Sequence, residues 1–68
     1  MKLLWVEVKN ELPPEGVIVE TKIHDEKGCR NVTKLKRKGK LWLFPDGSMY
    51  VYYVPTHWRK AVWNDRVQ

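Results

Sequence analysis

A chain of 68 residues, 43% hydrophobic and 31% charged with a formal net charge of +5, has room for one small core, so residues 1–68 are read as a single domain. The hydrophobic share excludes a disordered tail, and no apolar run approaches the roughly 20 residues of a membrane span. Ordering such a chain costs on the order of 100 kcal/mol, so the four Trp, three Tyr and one Phe are all expected to help offset it from the core.

Residues 3–8 alternate, with Leu4, Val6 and Val8 on one side and Leu3, Trp5 and Glu7 on the other, the period of a first strand. The same opening imitates a signal peptide, but Glu7 and Lys9 break the apolar run well short of the about 7–15 residues required, so it is assigned to the mature fold. Pro13, Pro14 and Gly16 then stop the strand and turn the chain. A second strand over residues 17–24 places Val17, Val19, Thr21 and Ile23 inward and Ile18, Glu20, Lys22 and His24 outward. Asp25-Glu26-Lys27-Gly28 is a hairpin turn whose glycine supplies a positive φ.

A third strand, about residues 29–37, needs a bulge, because Val32 and Leu35 have opposite parity. Its lysines mark it as an edge. Lys38-Gly39 turns into a fourth strand at residues 41–44, and Pro45-Asp46-Gly47 leads to a fifth at residues 49–54, closed by Pro55. Trp58 and Val62 are spaced for a short C-terminal helical turn. The fold class expected is therefore all-β: five short antiparallel strands in a meander, as a curled sheet or a small, partly open SH3-like barrel.

The Pro-Asp-Gly turn is read as a three-residue loop that sets Phe44 opposite Ser48 and Trp42 opposite Tyr50. Trp42, Phe44, Tyr50 and Tyr52 then gather on one face, and Leu41, Leu43, Met49, Val51 and Tyr53 on the other. The aromatic face is either a second small core beneath Trp5, Trp58 and Trp63, or an open surface.

Charge bears on that choice. Residues 1–26 hold three basic and six acidic groups, whereas residues 27–40 hold seven basic and none acidic. Such a block is either a hairpin solvated by its lysines or a contact patch. Lys34, Lys36, Arg37, Lys38 and Lys40, beside Trp42, Tyr50 and Tyr52, are the candidate macromolecule-binding residues, since single-strand binders combine cations for phosphates with rings for bases.

Catalytic equipment is sparse: one Ser (Ser48), one Cys (Cys29) and two His (His24, His57). No nucleophile, base and orienting group fall at a recognisable spacing, and His24, Cys29 and His57 make no close ligand pair for a metal. No enzyme, cofactor or metal is expected. Cys29, a lone cysteine without a disulfide partner, is read as a buried small hydrophobe and favours a cytoplasmic home.

Trp5-Val6-Glu7-Val8-Lys9-Asn10-Glu11-Leu12-Pro13-Pro14-Glu15-Gly16 and Thr56-His57-Trp58 together resemble a family of small uncharacterised proteins of tailed phages and prophages. That family opens on W-x-x-V-x-x-x-L-P-x-x-G and closes near T-H-W. Where it usually continues into Met-Pro-Leu-Pro, this chain has Arg59-Lys60-Ala61-Val62-Trp63. The resemblance implies a phage product in the bacterial cytoplasm and supplies no reaction. It marks Trp5, Leu12, Pro13, Gly16, Thr56, His57 and Trp58 as structural residues, with the His57 ring wedged by Pro55 and Trp58 and one nitrogen bonded to backbone. The function expected is an accessory protein that binds a host or defence protein, with direct nucleic-acid binding or self-association as a homodimer as alternatives and no membrane partner.

Overall fold

Alternation produces strands where it runs longest. Residues 4–61 are described by a computed structural model, in which β1 (Val6–Glu7), β2 (Ile18–Asp25), β3 (Gly28–Lys38), β4 (Leu41–Leu43) and β5 (His57–Lys60) form one sheet. The order is β1-β5-β2-β3-β4, with every pairing antiparallel. The sheet is open, since β1 and β4 are its two edges, and no helix occurs among the described residues. No helix there is long and apolar enough to cross a membrane.

The β2–β3 hairpin is the backbone of the fold. Val19 lies opposite Leu35, and Thr21 opposite Thr33, but Ile23 lies opposite Arg30. Asn31 and Val32 together therefore face Lys22, which is the bulge that the parity of β3 demands. Asn31 carries the extra turn at a φ of 56°, a conformation its short polar side chain tolerates better than most. At the hairpin tip Gly28 adopts a φ of 112°. Asp25 accepts the Lys27 amide at 2.9 Å and both Arg30 guanidinium nitrogens at 3.0 and 3.1 Å.

Only part of β3 is an edge. β4 covers it at Lys36–Lys38, while over residues 28–35 it borders β2 alone among the described strands.

Three expectations change beyond that point. First, the simple meander fails, because β5 inserts between β1 and β2, with Trp58 opposite both Val6 and Thr21. Second, the fifth strand is His57–Lys60 rather than residues 49–54, which meet β4 at an isolated bridge, Leu43 to Tyr50, without forming a strand. That segment leaves the β4 edge to cross the sheet, packing Val51 against the core and burying Pro55. Third, the proposed helical turn at Trp58 is extended strand through Lys60; its remainder, Val62 and Trp63, lies outside the described residues.

The turn after β4 also differs. Ser48 donates its amide to Asp46 Oδ1 at 2.9 Å, and Gly47 donates to the Phe44 carbonyl at 2.8 Å. With the Ser48 amide engaged by the aspartate, the first ladder bond runs from Phe44 N to Met49 O at 3.0 Å, which makes a four-residue loop. Val51 N then donates to Trp42 O at 2.8 Å. Trp42 consequently shares a face with Val51, and Tyr50 with Leu43.

The core is small: Val19, Leu35, Trp42 and Trp58, flanked by Val6, Val8 and Val51. Loops complete it. Trp58 Nε1 donates to the Glu11 carbonyl at 2.8 Å, and Arg37 Nε to the Pro13 carbonyl at 3.0 Å. Thr21, fully buried among these side chains, satisfies its hydroxyl by donating to the Thr33 carbonyl at 3.0 Å.

Candidate macromolecule-binding face

Residues opposite one another on antiparallel strands point to the same side, so the register sorts the charged residues. Val6, Val19, Thr21, Leu35, Arg37, Trp42 and Trp58 face the core. The other side, here the outer face, carries Lys34, Lys36 and Lys38 from β3, Glu20 and Lys22 from β2, His57 and Arg59 from β5, and Glu7 from β1. The three β3 lysines stand about 7 Å apart along the strand. Glu20 lies opposite both Lys34 and Arg59, and Arg59 Nε donates to Glu20 Oε1 at 2.6 Å.

Trp5 lies across this face, with Lys22 Nζ 4.3 Å and Arg59 Cζ 4.4 Å from its ring centroid. Cations at that distance are attracted by the ring quadrupole, so Trp5 holds two basic side chains in place. Toward the other edge, Lys36, Leu43 and Tyr50 form one cross-strand row. Tyr50 meets Tyr52 edge-to-face at 5.3 Å. Tyr50 is 43% exposed and Tyr52 is 86% exposed. An open groove lined by Glu20, Lys34, Arg59, Val32, Phe44 and Pro45 runs beside the lysine row.

The candidate residues therefore separate. Lys34, Lys36 and Lys38 stand together, with Tyr50 and Tyr52 beside them and Lys40 exposed in the following turn. Two candidates belong elsewhere. Trp42 is 3% exposed and is a core residue, because the four-residue loop places it against Val51. Arg37 faces the core side, only 14% exposed, where it binds the Pro13 and Gly39 carbonyls and lies 3.7 Å from Glu15. The aromatic set accordingly splits, with Trp42 on the core side and Tyr50 and Tyr52 on the outer side.

Sequence reasoning overlooked Trp5, Lys22 and Arg59 as members of this face. The outward parity of Lys22 was a usable signal. Arg59 had none, since a four-residue strand with one buried side chain shows no period.

The residues of the two motifs take the following places. Thr56 precedes β5, and His57-Trp58 opens it opposite Val6–Glu7, so the two ends of the motif pair directly. Thr56 donates its amide to the Lys22 carbonyl at 3.0 Å, its hydroxyl accepts the His24 amide at 2.8 Å, and Val8 donates to its carbonyl at 2.9 Å. His57 departs from expectation: Nδ1 lies 2.7 Å from the Thr56 hydroxyl and Nε2 3.9 Å from Glu7, with the His24 ring edge-on at 6.0 Å. Pro13 is buried, Gly16 donates to the Arg37 carbonyl at 2.9 Å, and Leu12 is exposed.

Cys29 is exposed rather than buried, because it follows the hairpin tip, away from the core residues Val19, Leu35, Trp42 and Trp58. Among the described residues no group of three or more His, Cys, Asp or Glu is arranged to hold a metal ion. Among the described residues two carboxyls are perturbed. The hydrogen bond from Arg30, and then that from the Lys27 amide, holds Asp25 below the usual carboxylate range. Bonds from Ser48 do the same for Asp46, with Lys36 adding a smaller attraction. No family model, curated protein or solved structure matches the chain.

Proposed function

We propose that this chain is a non-enzymatic accessory protein of phage or prophage type that binds an anionic host macromolecule in the bacterial cytoplasm through the outer face. One observation carries the reading: Lys22, Lys34, Lys36, Lys38 and Arg59 stand on one side of the sheet, where the described strands set two acidic residues, Glu7 and Glu20, among them. Five cations on a surface of this size raise the local potential, steer an anionic partner and hold it in a salt-dependent way. The motif resemblance supports the phage setting, and the pairing of Val6 with Trp58 gives both ends of the motif one structural role.

The test is an affinity capture from bacterial lysate with the parent chain and the triple variant Lys34→Glu, Lys36→Glu, Lys38→Glu. Material retained at low salt by the parent, released as salt rises and absent from the variant is the expected result. Equal capture by both chains would overturn the reading.

A further inference from the structure

The outer face has two features that a general anion patch does not need. Its lysines follow a single strand at regular spacing, and they stand beside exposed aromatic rings in register with them: Lys36 opposite Leu43, and Leu43 opposite Tyr50. Tyr52 projects into solvent at 86% exposure, its ring edge-to-face with Tyr50. Tyr50 and Tyr52 thus leave ring surface open at the same end of the sheet as the lysine row.

Rows of cations beside open ring faces suit a ligand that alternates negative charge with flat apolar plates. We propose that the outer face binds single-stranded nucleic acid, with Lys34, Lys36 and Lys38 on the phosphates and Tyr50 and Tyr52 stacking on bases; this rests on the proposed function above and specifies its partner. Trp5 keeps Lys22 and Arg59 spread over the sheet, which extends the phosphate track across β2 and β5. Stacking is indifferent to base identity, so binding is expected without strong sequence preference.

Other anionic partners fit less well. A duplex is read by a helix or a two-stranded ribbon entering a groove, and the projecting ribbon here, the β2–β3 hairpin, carries Asp25 and Glu26 at its tip. An acidic protein surface is met by interface cores rich in Tyr, Trp and Arg but poor in Lys, whereas four of the five cations of this face are lysines.

The experiment is fluorescence titration of the full chain with a dT and a U oligonucleotide of about ten nucleotides, beside a duplex of equal length, across a salt series. For three to five neutralised phosphates, log affinity should fall against log salt with a slope of about −2 to −3.5. Lys36→Glu should weaken binding at least about tenfold, with a shallower slope. Tyr52→Ala alters a side chain that the fold does not bury, and should weaken binding about tenfold by removing one stacked base. Lys27→Glu, at the hairpin tip, should leave affinity within about twofold, the scale of nonspecific screening. Duplex bound as tightly as single strands, or Tyr52→Ala without effect, would overturn the inference. So would failure of both oligonucleotides to bind while the lysate capture still depends on the lysine row, an outcome that leaves the broader reading standing.

Discussion

The two sides of the sheet solve opposite problems with the same strands. The core side concentrates Val19, Leu35, Trp42 and Trp58 and closes over them with loops tied down by backbone acceptors, the Glu11 and Pro13 carbonyls. The outer side has no second layer among the described residues, only Trp5 laid over Lys22 and Arg59. On the first side each atom removed leaves a cavity or an unpaired donor; on the second, single exposed ion pairs contribute about 0–1 kcal/mol. Stability is therefore expected to depend on the core side, and binding on the outer side.

Breaking that division should be hardest at Trp58. Trp58→Ala empties much of the core and strands the Glu11 carbonyl, at about 3–5 kcal/mol. That approaches the total stability of a domain this small, so urea melts followed by circular dichroism should find the variant largely unfolded in buffer. A cooperative transition near the parent midpoint would mean that the core is elsewhere.

Arg37 offers a sharper test, since it sits in the basic segment yet points to the core side. Arg37→Ala leaves the Pro13 carbonyl without its guanidinium donor and should cost about 1.5–3 kcal/mol. In the same titrations its affinity for dT oligonucleotide, measured below its melting midpoint, should match the parent. Its neighbour Lys36 should behave in the reverse manner, with Lys36→Glu shifting stability by no more than about 0.5 kcal/mol while binding collapses. If both variants lose binding equally, face does not matter and the segment acts only through total charge.

The smallest effect lies at the hairpin tip. Asp25 has its pKa lowered from the ordinary 3.8, first by the Arg30 side chain. A carboxyl lowered on folding contributes stability that is complete above the unfolded value and lost as pH falls through the folded one. Its carboxyl carbon, followed by NMR, should therefore titrate below 3.8, and Arg30→Ala should return the midpoint toward that value. An unmoved midpoint would show that the ion pair does not persist in solution.

How far the sequence disclosed this arrangement differs along the chain for physical reasons. In β2 and β3 the side chains alternate over many residues, and the conflict between Val32 and Leu35 pointed to the bulge that Asn31 supplies. Beyond Leu43 the signal fades. One hydrogen bond, Ser48 N to Asp46 Oδ1, lengthens the loop by a residue and reverses the partners of Trp42 and Tyr50. A single-residue change in register moves every side chain to the opposite face, which is why Trp42, grouped by the sequence with Tyr50 and Tyr52, lies instead with Val51 in the main core.

β5 was illegible for another reason. His57–Lys60 offers one buried side chain, Trp58, and its place between β1 and β2 is decided by distant backbone partners rather than by local pattern. The lysine row of the candidate face was visible because it lies on the strand whose period was clear, while Trp5 and Arg59 joined it only through long-range pairing.

The most direct measurement of the central claim is a map of backbone amide shifts by NMR as dT oligonucleotide is added to the folded chain. The division of the two faces predicts the largest changes at Lys34, Lys36, Lys38, Tyr50 and Tyr52, spreading to Lys22 and Arg59, with the side-chain signals of Leu35, Trp42 and Trp58 Nε1 unmoved. Shifts centred on the Pro13–Gly16 loop and Arg37, with the lysine row silent, would contradict it.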